Sequence, residues 1–204
     1  MQSEIPALLR READAILNIP VNDTYDKALD IIFEAVHQRK GKVVVSGMGK
    51  AGQIAVSIAT TLSSTGTPAV WLHPADAQHG DLGVMQPDDV LLLISNSGKT
   101  REIVELVYLA RDLNAGVPII VITGNKESKL AEMADVCLHT GGPAELCPLG
   151  LSPTISTTVM SVMGDLLVVL MMKRIGFTIA DYALRHHGGY LGEQSRLRSS
   201  GEAG

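Results

Sequence analysis

Two runs of this chain, residues 90–95 (VLLLIS) and 118–123 (PIIVIT), stay apolar from one end to the other, and residues 42–46 (KVVVS) come close. A strand with one wet face alternates apolar and polar residues, so unbroken runs belong to strands covered on both faces. Two weaker candidates, 69–72 (AVWL) and 135–139 (DVCLH), bring the number of strands to five. Helical patterns separate them at 50–63, 100–113 and 126–133, and a long amphipathic pattern over 24–40 ends at Gly41. Strand–helix–strand alternation specifies a parallel sheet sheathed by helices. The expected fold is α/β, a three-layer αβα sandwich around a five-stranded parallel sheet.

A chain of 204 residues suits one large domain. Seventeen basic against 22 acidic residues, a net charge of −5 and 3% aromatics speak against a nucleic-acid partner. Two cysteines, Cys137 and Cys147, make neither a disulfide framework nor a zinc knuckle, and Cys147 reads as a buried small apolar residue. The first 20 residues lack the order of a signal peptide. The greasiest stretch, 155–172, is broken by Ser156, Thr157, Thr158, Ser161, Gly164 and Asp165, so a buried helix is expected rather than a membrane span. Part of its apolar surface, crowded by Met160, Met163, Met171 and Met172, is expected to meet a partner subunit. The expected organisation is helices over 1–40 packing on a core domain at 41–192, then a polar tail at 193–204 that frays from Arg196 onward. A soluble protein of the reducing cytoplasm is expected, without membrane contact.

In an open parallel sheet, ligands bind beyond the carboxyl ends of the strands. After the first strand stands Gly47-Met48-Gly49-Lys50-Ala51-Gly52, a dinucleotide-type fingerprint. The second strand ends Leu72-His73-Pro74 instead of on a ribose-binding acid, which weakens that reading. After the third strand comes Ser95-Asn96-Ser97-Gly98-Lys99-Thr100. Three hydroxyls and an amide on a strand-to-helix turn exceed what capping needs, and make an anion site of neutral donors at a helix N-terminus.

These segments, with His73-Pro74-Ala75-Asp76, His79-Gly80-Asp81-Leu82-Gly83 and Glu145-Leu146-Cys147-Pro148-Leu149-Gly150, resemble the sugar isomerase (SIS) domain of D-arabinose 5-phosphate isomerases. The resemblance runs from about Gly41 to Gly192. It implies interconversion of ribulose 5-phosphate and arabinose 5-phosphate, a precursor supply for Kdo, no cofactor, and a homotetramer with shared active sites. It also implies Lys50, Glu102, Glu145 and His186 as catalytic positions. Substrate contacts are implied at Gly49, Gly66, Thr67, His73, His79, Ser95, Asn96, Ser97 and Thr100, with an occasional inhibitory zinc at His73. Three features depart from the family pattern. The expected short form lacks the C-terminal CBS pair of many members. The phosphate turn reads SGKT where many relatives have SGES. Arg185-His186-His187-Gly188-Gly189 replaces the family's HPGG, and alignment on the glycines favours His186 over His187.

An aldose–ketose isomerase moves a proton through an enediol or a hydride between two metals. No dense carboxylate cluster is present, so the enediol route is expected. Lys50 suits neutralisation of oxyanion charge, and Glu102 also suits the positive end of its helix. Glu145, in a Gly/Pro-rich loop without periodic structure, is favoured as the C1/C2 base, with His186 the alternative. An imidazole suits opening of the furanose ring, which the aldose forms through O4. A phosphosugar sensor without turnover and a 6-phospho-3-hexuloisomerase are the competing readings.

Overall fold

The computed structural model describes residues 2–199 and 201. Its five strands are β1 (Val43–Gly47), β2 (Ala69–Trp71), β3 (Val90–Ile94), β4 (Ile119–Thr123) and β5 (Val136–His139). They pair in parallel throughout, in the order β2-β1-β3-β4-β5. The chain leaves β1 outward to β2 and returns to β3 on the other side of β1. The gap between the carboxyl ends of β1 and β3 is therefore the topological switch point.

Covered strands send alternate side chains to opposite layers. Val43, Val45, Val90, Leu92, Ile94, Ile120 and Ile122 point into one apolar layer, shared with α2 (Thr24–Ile32), α3 (Lys50–Ser64) and α7 (Ile155–Arg174). Val44, Leu91, Leu93, Ile119 and Val121 point into the other, under α5 (Arg101–Leu113). Burying one such aliphatic side chain stabilises the fold by about 1.5–3 kcal/mol relative to exposure. Two smaller helices, α4 (Pro74–Ala77) and α6 (Lys129–Glu132), lie on the α5 side. The result is the expected αβα sandwich.

Helix α1 (Ile5–Leu17) packs on α7, and Arg174 at the end of α7 pairs with Asp30 of α2. The helix beginning at Thr24 widens into a π-helical segment, Phe33–Gln38. It ends on Lys40, whose φ of 69° puts it in the left-handed region that was expected of Gly41. Gly41 is a glycine for another reason, because a side chain there would collide with the Asp88 carbonyl. Asp89, wholly buried, accepts from the Lys42 backbone N–H (2.9 Å), the Lys42 ammonium (2.7 Å) and the Gln86 N–H (2.7 Å). That network ties the entry of β1 to the entry of β3.

Two expectations need correction. The tail is helical, α9 (Gly189–Ser199), with Gly192 and Ser195 buried; residues 200 and 202–204 lie outside the described residues. Met160, Met163 and Met171 are buried inside the protomer itself, whereas Leu166 and Val169 carry the exposed apolar face of α7. By length and composition α7 passes for a membrane span, but half of its apolar window is buried in this fold.

Candidate active site

A cavity of about 440 Å³ opens at the switch point. Its walls come from three segments that sequence separates widely: Met48, Lys50 and Ala51 after β1, Ser95–Thr100 after β3, and the loop from Pro143 into the first turns of α7. Gly49 holds the first turn at φ 62°, a left-handed conformation that suits glycine, and starts α3 with Lys50 on the cavity wall.

The second wall is the hydroxyl-rich turn. Ser95 Oγ lies 3.0 Å from Thr100 Oγ1 and accepts from the Gly98 N–H at 3.2 Å. Ser97 Oγ accepts from the Lys99 N–H at 3.2 Å. The Asn96 carbonyl receives the Gly124 N–H at 3.0 Å, which anchors the turn to β4. The turn is thus rigid, polar and uncharged except for Lys99, and it faces the cavity from the N-terminus of the 13-residue α5.

Glu145 forms the third wall. Its Oε2 accepts from the Thr154 N–H (2.7 Å), the Thr154 hydroxyl (2.8 Å) and the Ser156 N–H (3.3 Å). The carboxylate therefore caps α7, with one oxygen saturated. Partial burial pushes its pKa up, but the nearby Ser156 hydroxyl and the Thr154 and Ser156 donors more than offset this and leave it below the ordinary glutamate value. The backbone carbonyl of Glu145 is held separately by Arg11.

The fold gathers Lys50, Ser95, Asn96, Ser97, Thr100 and Glu145 around one cavity, with Gly49 in the adjoining turn. It does not bring the others there within one protomer. Glu102 stands in the first turn of α5 but is not a cavity-lining residue. His79 is exposed, and His73 packs edge-on against Trp71 with Asp76 3.6 Å away. Two donors fall short of a metal set, and among the described residues no group of three or more His, Cys, Asp or Glu is arranged for one. Gly66 and Thr67 lead into the amino end of β2, whereas the cavity opens at the carboxyl ends; Gly66 lies against Phe177 and Thr67 Oγ1 lies 3.2 Å from the His37 ring. Neither residue lines this protomer's cavity. His186 comes after α8 (Ile179–Ala183), beyond the far end of α7; its ring stacks on Tyr182 at 3.6 Å and its Nδ1 bonds the Tyr182 carbonyl.

Thr154 and Ser156, together with Arg11, are contributors that pattern reading passed over. The signal was the hydroxyl run Thr154, Ser156, Thr157, Thr158 opening an apolar helix. Cys147 also corrects an expectation. It is half-buried, and hydrogen bonding from Ser152 and from the Leu149 and Leu151 N–H groups lowers its thiol to about 6.

The SIS domain family model matches residues 36–170. Arabinose 5-phosphate isomerase KdsD of Escherichia coli (strain K12) is 47% identical over 93% of this chain, and the chain spans 56% of that relative's length. The Pseudomonas aeruginosa KdsD is 46% identical over the same shares. A solved Bacteroides fragilis protein, provisionally described as a phosphosugar isomerase involved in capsule formation, is 64% identical with a TM-score of 0.92, covering 93% of this chain and 99% of that one. A protein of E. coli CFT073 in complex with arabinose 5-phosphate is 34% identical with a TM-score of 0.81, covering 88% and 94%. With its phosphate-type cradle and capping carboxylate at the switch point, this chain belongs to the SIS domain family.

Proposed function

We propose that the chain is an arabinose 5-phosphate isomerase, interconverting that aldose with ribulose 5-phosphate in the cytoplasm and supplying a precursor of Kdo. The observation that carries this reading is the sharing of one cavity by the Ser95–Thr100 cradle and the Glu145 carboxylate. Relatives named for this activity, at 47% identity over 93% of the chain, support the choice of substrate.

The phosphate sits in the Ser95–Thr100 turn, where hydroxyls, backbone N–H groups and the α5 dipole receive it. Lys50 neutralises charge on phosphate or enediolate oxygen. Saturation of Glu145 Oε2 leaves Oε1 as the proton acceptor at C2, and its low pKa keeps it ionised and ready. The proton is returned at C1 to give the ketose.

Ring opening needs an imidazole that one protomer does not place at the cavity. His186 therefore acts in a neighbouring subunit's site, with Glu102 and the histidines at 73 and 79 completing sites between subunits of a homotetramer. The exposed apolar residues Leu166 and Val169 on α7 and Leu184 after α8 give such an assembly its contact surface.

The test is turnover of ribulose 5-phosphate in D₂O, monitored by NMR. Arabinose 5-phosphate carrying deuterium at C2 is expected, and Glu145→Gln is expected to lose both turnover and labelling by about 100-fold or more. Unlabelled product points to a hydride shift. No turnover of pentose phosphates, with binding retained, leaves a sensor, and turnover of a hexulose phosphate instead leaves a hexuloisomerase.

A further inference from the structure

Tyr182, four residues before His186, holds it by backbone and by ring. The Tyr182 carbonyl accepts from the His186 backbone N–H at 3.1 Å and from the ring Nδ1 at 3.0 Å. The two rings lie face to face, with centroids 3.6 Å apart and planes 6° from parallel. Tyr182 is fixed in turn. Its N–H bonds the Thr178 carbonyl, and Thr178 and Asp181 exchange hydrogen bonds in a capping box. Arg185 Nη1 adds a bond to the Asp181 carbonyl at 2.9 Å. No residue of α8 is buried, and the segment stands outside both apolar layers, with His186 half-buried just past its end.

A carbonyl only accepts, so the hydrogen between it and the imidazole sits on Nδ1. In the neutral ring Nε2 is then the basic nitrogen, and it makes no hydrogen bond among the described residues. Opening a furanose asks for a base of this kind. O1 of the hemiacetal must lose its proton, and the ring oxygen O4 must gain one. Both oxygens are bonded to C1, so one nitrogen can face each in turn.

We propose that Tyr182 is a positioning residue for ring opening, holding the His186 plane and tautomer so that Nε2 serves the anomeric centre of the sugar. The inference rests on the isomerase reading. Nε2 takes the O1 proton, and the electron pair left on O1 forms the C1=O1 π bond. The C1–O4 bond breaks with its pair going to O4, which then receives the proton from Nε2. The imidazole ends as it began, and the open aldehyde is what Glu145 works on. While Nε2 holds the proton, the π face of the Tyr182 ring stabilises the imidazolium, as an aromatic face does for other cations.

Ring opening can be measured apart from isomerisation. The α and β furanose anomers of arabinose 5-phosphate interconvert through the open chain, so a protein that opens the ring speeds their exchange. Glu145→Gln removes the carbon chemistry, and NMR exchange spectroscopy then reads anomer interconversion alone. Acceleration over the buffer rate is expected from Glu145→Gln, and equally from Glu145→Gln with Tyr182→Phe, which keeps the stacked ring. With Tyr182→Leu instead, the acceleration should fall by about 10-fold or more. The Kd for arabinose 5-phosphate, read by calorimetry, should change little. Undiminished exchange in the Tyr182→Leu protein overturns the proposal. Loss in the Tyr182→Phe protein as complete as with leucine also overturns it, since the stack remains there. Binding lost together with exchange assigns Tyr182 a merely structural role and overturns it as well. Wild-type turnover without anomer exchange by Glu145→Gln overturns ring opening at His186 alone, whereas a wild type that turns over no pentose phosphate overturns the isomerase reading and the proposal with it.

Discussion

The guanidinium of Arg11 donates from Nη2 to the backbone carbonyl of Glu145 at 2.9 Å, joining the first helix to a loop 134 residues later. The side chain of Glu145 is fixed by α7 and its backbone by α1, so the carboxylate is held from both sides. Arg11→Met keeps the aliphatic stem and removes the donor. An exposed bond of this kind contributes about 0.5–1.5 kcal/mol. The expected outcome is a several-fold fall in kcat with an unfolding temperature close to that of the wild type, read from steady-state kinetics and thermal melts.

Hydrogen bonding to the ionised form holds the Glu145 carboxyl below its ordinary value. The acid limb of kcat/KM against pH therefore lies below the usual glutamate range. Thr154→Val removes the Oγ1 donor, which favoured the charged form, so the limb moves to higher pH. A limb that stays in place in the variant would separate the pH dependence from Glu145.

Ser97 belongs to the cradle, remote from the reacting carbons. Loss of one hydrogen bond to a charged group costs about 1.5–3 kcal/mol. Ser97→Ala should raise the Kd for arabinose 5-phosphate by a corresponding factor and change kcat less, by titration calorimetry and kinetics. Unchanged affinity would remove the phosphate from this turn.

Two inert proteins should make an active one if sites are shared between subunits. Glu145→Gln and His186→Ala, each nearly inactive, are unfolded together and refolded as a mixture. Recovered turnover is expected, since some sites then pair an intact Glu145 with an intact His186 of a neighbour. A mixture as inactive as its components would place both residues in one protomer's site.

Cys147 and Cys137 sit in opposite environments. Hydrogen bonds lower the Cys147 thiol to about 6, while burial pushes the Cys137 thiol up. Alkylation by iodoacetamide should therefore be selective for Cys147 near neutral pH, with a rate that climbs through about pH 6 and levels off above it. Peptide mass spectrometry identifies the modified residue, and preferential labelling of Cys137 would contradict the loop geometry.

Asp89 is the stability counterpart of these loop residues. Its buried carboxylate serves Lys42 twice and Gln86 once. Asp89→Ala leaves the mostly buried Lys42 ammonium and two backbone N–H groups without their partner. Breaking one side of a buried pair costs about 3–5 kcal/mol, which denaturant unfolding should read directly.

Three fully covered strands, two weaker edge strands, their parallel sense and the cradle at 95–100 were legible in the sequence because each arises from local pattern. An unbroken apolar run belongs to a strand buried on both faces, and a hydroxyl-rich turn between strand and helix offers hydroxyls and backbone N–H groups to an anion. The amphipathic pattern at 24–40 was legible as helix too, but the π-helical widening at Phe33–Gln38 was not, since it arises from packing rather than propensity. Nor did residue order reveal that Arg11, Glu145, Thr154 and Ser156 form one unit. Their association depends on where α1 crosses the start of α7, a relation between elements far apart in the chain. Tertiary structure likewise decided that Met163 faces inward while Val169 faces out, because α7 is apolar all round and carries no polar stripe to orient it. The same geometry separated Gly66, Thr67 and His186 from the cavity: a 20-residue helix is about 30 Å long, so residues past its far end lie out of reach of those lining its start.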